Sequence, residues 1–331
     1  MQAPASNADR TRAAVTIGGA VLLLLLVAAW RLLAGPTFGW PDDPAARDLR
    51  LDRLLAGSVA GGGLAVAGVL LQSLLRNPLA SPDLLGVSAG ASFAAMLSVA
   101  IGYWSAGQIQ PQSLAQGPAA LAGAFAAMGL VYALGSRRGL IDPTSMILIG
   151  VIVAVIAGAG IVTVQHLLPS RGQLTGRWLV GAIDPEIEAI DVALPAALLL
   201  GATMWAAISG RAFDAMALGE DDAAASGVRL GAVRSGQFIA AGVLTAASVW
   251  LAGPLGFVGL VAPHLVRLAA GPAHRWLVVG SAIVGAALVV AADAAVASLT
   301  LPTGRLPIGV LTSLIGGPVF LWMLLEQRSR N

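Results

Sequence analysis

Charged side chains make up only 11% of this 331-residue sequence, so each one set among apolar residues is a candidate for chemistry. Asp293 interrupts the run AALVVAADAAVASL. An acid in such a place either relays a proton or answers a buried cation, Arg305 being one candidate, or a helix end. Histidine offers less. His166, His264 and His274 are scattered, and no second ligand is spaced with His166, so no metal site is expected. The densest polar stretch runs from Arg211 to Arg234. There Arg211, Asp214, Glu220, Asp221, Asp222, Arg229 and Arg234 put seven charges into 24 positions, a solvated and structured element between apolar neighbours.

The elements that must hold these residues are membrane helices. The chain is 57% hydrophobic with a mean hydropathy of +0.83, whereas a soluble domain is about half apolar and about a quarter charged. The composition therefore indicates an all-α polytopic membrane protein in a lipid bilayer. Its 41 glycines allow helices to approach closely in lipid. All 19 basic residues are Arg and flank apolar segments instead of forming a patch, so no nucleic-acid partner is expected. The absence of cysteine excludes disulfides and thiolate metal sites. Arg10 and Arg12 precede an apolar run from Ala13 to Ala29 that is longer than a signal-peptide core and has no convincing cleavage site, so it reads as a retained first helix.

A membrane helix needs about 20 mostly apolar residues. Ten such windows occur, at 14–34, 54–75, 84–104, 115–134, 144–168, 190–209, 231–251, 257–270, 276–297 and 307–325. The eighth is short and bounded by Gly253, Pro254, Gly256 and Pro263, the pattern of a broken helix inside a bundle. This divides the chain into a tail at 1–13, one transmembrane domain at 14–325 containing the polar element 211–234, and a tail at 326–331. With the N-terminus inside, twelve Arg fall on the cytoplasmic side, among them Arg76, Arg138 and Arg267. Seven fall outside: Arg31, Arg47, Arg50, Arg53, Arg171, Arg177 and Arg305. The excess inside predicts that both termini, and the 211–234 element, are cytoplasmic.

Between spans two and three stands GVLLQSLLRNPLASPDLLGVSAGAS, with Arg76, Asn77, Pro78 and Gly86. Arg76 anchors a helix end, Pro78 and Pro82 stop the helix, and Asp83 is placed to favour the next helix N-terminus. A second stretch is GPLGFVGLVAPHLVR, with Gly256, Gly259, Pro263 and His264. A third holds Pro307, Gly316, Gly317 and Pro318, and Ala217-Leu218-Gly219-Glu220 with Ala224 and Gly227 makes a fourth. In their order along the chain they resemble the FecCD-type permeases of ABC importers, which carry iron chelates, haem and vitamin B12. The resemblance covers roughly residues 47–325.

That resemblance implies a homodimer of ten-span subunits in the bacterial inner membrane, working with two cytoplasmic ATPase subunits and a periplasmic binding protein. This chain would not be an enzyme and would bind no cofactor, ATP and Mg being used by the partner. The absence of any G-x-x-x-x-G-K-[ST] loop agrees with this. Asp214, Ala217, Leu218, Gly219, Glu220, Ala224 and Gly227 correspond to the coupling helices, with Gly219 and Gly227 suited to the bounding turns and Glu220 available to the ATPase. Arg50 and Arg53 match arginines that dock the binding protein. Asp52 replaces a usual proline between them and would alter a local turn, and Arg305 would supply a third docking cation. Because such importers need no ion gradient, Asp293 reads as structural. The segment LTSLIGGPVFLW is closest to haem permeases, giving haem a lead over a ferric siderophore or vitamin B12. Rival readings are an ion-coupled secondary transporter, with Asp293 as the coupling site, and a non-transporting membrane scaffold.

Overall fold

The computed structural model describes residues 7–35, 38–107, 116–137, 140–141, 143–168, 180–184, 187–299 and 305–330. Arg138, Arg171 and Arg177, used above for orientation, lie outside the described residues. Twelve helices are present among those described: α1 Asn7–Leu33, α2 Pro44–Leu74, α3 Val87–Ala106, α4 Gln116–Gly135, α5 Pro143–Leu167 and α6 Ala189–Ile208, then the short α7 Gly210–Leu218 and α8 Glu220–Ala225, and finally α9 Leu230–Ala252, α10 Val258–Ala270, α11 His274–Ser298 and α12 Ile308–Arg330. The two-residue strands β1 (Ser136–Arg137) and β2 (Leu140–Ile141) pair antiparallel between α4 and α5.

Eight helices are long and apolar enough to cross a membrane. The other two expected spans are present as shorter apolar helices, Val258–Ala270 and Ile308–Trp322. The 13 residues of α10 rise about 20 Å, against a hydrocarbon core about 30 Å thick.

α2 is the central helix. Asp43 caps it by accepting the Ala45 N–H at 3.1 Å, and Pro44 occupies its first turn. The helix therefore begins at Pro44 and not at 54. Arg47, Arg50, Asp52 and Arg53 sit on helical turns, so the local turn expected around Asp52 does not form. From Ala56 onward α2 is nearly all buried, packed against α1, α6, α9, α10 and α11. Small residues set how close those helices come. Gly61 of α2 meets Gly285 of α11 so tightly that a β-carbon on either would overlap the other's carbonyl, and Gly68 stands likewise against the Gly259 carbonyl of α10. Without a strong hydrophobic drive between helices in lipid, such close packing holds the bundle together. By contrast α1 and α5 leave Leu22, Leu25, Leu26, Ile152, Val155 and Ile156 on the outside, apolar faces suited to lipid or another apolar partner.

Candidate functional site

Polar residues gather at the two ends of this bundle and at the break before α10. At one end, Ser209 to Val228 folds into α7 and α8. Phe213, Met216 and Ala223 point inward and are buried, while Ala217, Leu218, Ala224 and Gly227 face outward. Gly227 has φ 82°, the left-handed turn its sequence position suggests. Gly219 does not: its φ of 168° is extended backbone open to any residue, so its expected role as a glycine-requiring turn is corrected.

The acids of this element bind the chain itself. Asp214 Oδ1 accepts the backbone N–H of His274 at 3.0 Å and lies 2.7 Å from His274 Nδ1, fixing α7 to the start of α11. Phe213 packs edge-on against both Trp205 and His274. Glu220 takes two arginines, Arg76 at 3.2 Å and Arg234. It therefore ties α8 to the turn after α2 and to α9, where sequence reasoning assigned it to the ATPase. Asp221 and Asp222 are exposed.

The turn between α2 and α3 is held by Asn77, whose Oδ1 accepts the Leu79 N–H at 2.9 Å; Arg76 (φ 48°) and Gly86 (φ 68°) adopt left-handed conformations. At Gly86 a β-carbon would press on the Gly150 carbonyl of α5. α3 begins after Gly86, which has no side chain to cap it, and Asp83 stands just before its first turn. Burial pushes its pKa up to about 6, against hydrogen bonds from the Ser88 side chain in that turn and from the backbone N–H of Phe257.

Phe257 is the residue sequence reasoning missed. It precedes α10 with φ 67°, a left-handed conformation unfavourable for a bulky residue, by about 1–3 kcal/mol. Gly316 of α12 lies against its β-carbon, where a side chain would not fit, and Phe320 lies 6.4 Å from its ring. Phe257, Gly316 and Gly317 are thus brought together, with Gly256 against Ser313 of α12, whereas Gly259 faces α2, Pro307 directly precedes α12 and Pro318 is exposed. Pro263 is buried within α10 and His264 half-buried. The signal for Phe257 was present in its setting, GPLGFVG, where glycines and proline announce unusual backbone.

At the opposite end, Asp293 is 2% exposed and both its oxygens are engaged. Arg31 binds Oδ2, and Arg53 binds Oδ1 at 2.6 Å while also donating to the Ile183 carbonyl at 2.8 Å. The expected partner, Arg305, is exposed instead. Arg31, counted in the sequence only among the arginines outside, was not matched to Asp293 because it closes the apolar run of α1, 262 residues earlier. An acid saturated by two arginines from α1 and α2 is a structural junction, with no vacant oxygen for a relayed proton. Arg53 is thereby engaged inside the protein, 8% exposed. Arg50 is half-buried and donates to the carbonyls of Leu32 at 2.6 Å and Gly39 at 2.8 Å. His166 is exposed, and no cluster of three metal-ligating side chains occurs among the described residues.

A bundle of this kind, with its polar groups at two faces and a broken helix between, is that of a multi-span membrane permease. The FecCD transport family matches residues 20–326, and the chain belongs to it. It is 34% identical to the ferric enterobactin transport system permease protein FepD of Escherichia coli, over 96% of this chain and 97% of that one. The vitamin B12 import system permease protein BtuC of Vibrio vulnificus is 36% identical over 99% of this chain and 98% of its own length. The hemin transport system permease protein HmuU of Yersinia pestis is 32% identical over 86% and 84%. A solved structure of an inward-facing conformation, assigned to the metal-chelate type of ABC transporter, superposes with a TM-score of 0.80 at 26% identity, covering 95% of this chain and 99% of the other. The chain is accordingly a permease subunit of the ABC-importer kind.

Proposed function

We propose that this chain works as a homodimer in an ATP-driven importer, receiving a metal chelate from a periplasmic binding protein and releasing it to the cytoplasm by alternating access. The observation that carries this reading is the two-sidedness of α7 and α8. Their outer face is small and free of internal packing at Ala217, Ala224 and Gly227, while their inner face is bound through Asp214 and Glu220 to α11, α9 and the turn after α2. Such an element suits a cleft in each of two ATPase subunits, which hydrolyse ATP with Mg, and passes their motion to the spans. Orientation follows with it: the bacterial inner membrane, both termini cytoplasmic, Arg12 at the start of α1 bonding the same end of α10 that adjoins α7. Arg50 and Arg305, on the other face, are the residues offered for docking of the binding protein, with Arg53 joining them only on leaving Asp293.

Haem is the cargo we favour, on the segment LTSLIGGPVFLW. Overall identity does not rank the candidates, at 34% for the enterobactin permease, 32% for the hemin permease and 36% for the vitamin B12 permease, so the preference rests on that segment. The deciding experiment reconstitutes the chain with its ATPase and binding protein in proteoliposomes and measures uptake of haem, ferric enterobactin and vitamin B12. ATP-dependent accumulation of haem alone supports the reading. Accumulation of another chelate reassigns the cargo, and uptake driven by a proton gradient without ATPase rejects the mechanism.

A further inference from the structure

Beside the coupling element lies a cavity of about 680 Å³, walled by the ends of α1, α2, α7, α10 and α11. Arg12, Arg76 and Arg267 line it, together with Asp214 and Trp276. The charges do not balance. Asp214 is taken by His274, and Arg76 is answered by Glu220. Arg12 and Arg267 have no carboxylate among the described residues. Arg12 donates to the carbonyls of Ala269 at 2.7 Å and Leu268 at 2.9 Å, and Arg267 to Gln72 Oε1 at 2.8 Å. Those neutral acceptors fix each guanidinium at the cavity wall without neutralising it.

We propose that this cavity is an anion site that takes a phosphate ester of the kind carried by an anionic phospholipid headgroup, held by Arg12 and Arg267. A guanidinium presents its donors as a planar fork that matches phosphate oxygens, and two of them from different helices suit a phosphodiester. Basic pockets between membrane helices on the cytoplasmic side bind anionic headgroups on this physical ground. The surroundings point to lipid as the source. Outward from Arg12, α1 exposes Val15, Leu22, Leu25 and Leu26, an apolar track for acyl chains, and α10 exposes Leu265 and Leu268 beside the cavity. Trp276 is half-buried at the same level, as aromatic residues are at a membrane interface. Free phosphate shares the headgroup chemistry but makes no use of the apolar track.

Native mass spectrometry of the full-length chain, released from detergent with phosphatidylglycerol and phosphatidylcholine in equal amounts, tests this. The parent should retain phosphatidylglycerol preferentially. Arg12→Gln with Arg267→Gln should reduce that retention on the order of tenfold, two interfacial arginines being lost. The pair Arg10→Gln with Arg229→Gln, both exposed and absent from the cavity wall, should retain it. Arg12→Lys with Arg267→Lys should keep partial retention, and this conservative pair separates lost binding from lost folding. Equal retention by the parent and the Arg12/Arg267 variant overturns the proposal, as does equal loss in the Arg10/Arg229 control. Displacement of the lipid by excess inorganic phosphate assigns the site to free anions and rejects the lipid source. Loss of the lipid on assembly with an ATPase subunit rejects it in favour of protein docking.

Discussion

Arg53 Nη2 lies 2.6 Å from Asp293 Oδ1, joining two residues 240 positions apart inside the bundle. With Arg31 on the other oxygen, a single carboxylate gathers α1, α2 and α11 at one end of the molecule. Desolvating three charges is costly, and the arrangement is stable only while each has its partner.

Asp293→Ala strands two buried guanidiniums and should lower stability by about 3–5 kcal/mol. Arg31→Met should cost less, because Arg53 still answers the acid. Thermal unfolding of the detergent-solubilised chain measures both, and an Asp293→Ala protein as stable as the parent refutes the junction.

Glu220→Ala should behave differently. Its pairs with Arg76 and Arg234 are about a third exposed, so each contributes only about 0.2–1 kcal/mol to stability. The melting temperature should barely change, while chelate transported per ATP falls. Exchanging the charges, as Arg76→Glu with Glu220→Arg, should restore part of that ratio. Unaltered coupling in Glu220→Ala would remove the ion pairs from the transmission path.

Gly316→Ala places a methyl group against the Phe257 β-carbon, whose backbone is already left-handed. Overpacking of this kind costs about 1–3 kcal/mol, and because α10 and α12 meet here the transport rate should fall more than stability. Gly317→Ala, with a wider gap to Phe257, is the control. Equal rates for the two variants would show that the contact carries no motion.

Asp83 predicts a pH dependence. Its pKa in the fold, about 6, lies above its ordinary value of 3.8, so the folded state holds the proton more tightly. Its contribution is fully present below 3.8 and is lost as pH rises through about 6. Asp83→Asn should therefore be steadier than the parent between those values, as unfolding temperature followed against pH will reveal. Parallel curves for the two proteins would remove Asp83 as the source.

Much of this was legible in the residues. Apolar windows located the helices, because in lipid the backbone must satisfy itself locally and apolar length alone reports it. The broken span was announced by Gly253, Pro254 and Gly256, and Gly227 marked a turn whose φ is indeed left-handed. What escaped was pairing at long range. Nothing near Arg31 or Asp293 in sequence names the other, since their meeting depends on how α1 and α11 are stacked. Glu220 read as an acid available to the ATPase for the same reason, its two arginines coming from separate elements. The early start of α2 was hidden because its first turns are polar, held by Asp43 and Pro44 and not by an apolar face.

The glycine contacts of α2 divide the labour of the bundle. Where Gly61 touches Gly285 and Gly68 touches Gly259, main chain rests on main chain, and there is no side chain to rotate away or yield. α2, α10 and α11 then behave as a fixed spine. A cargo passage that opens and closes must be made by what is hung upon that spine, and the apolar faces left uncovered are those of α5 and of the last turns of α12, at Leu321, Trp322 and Leu325.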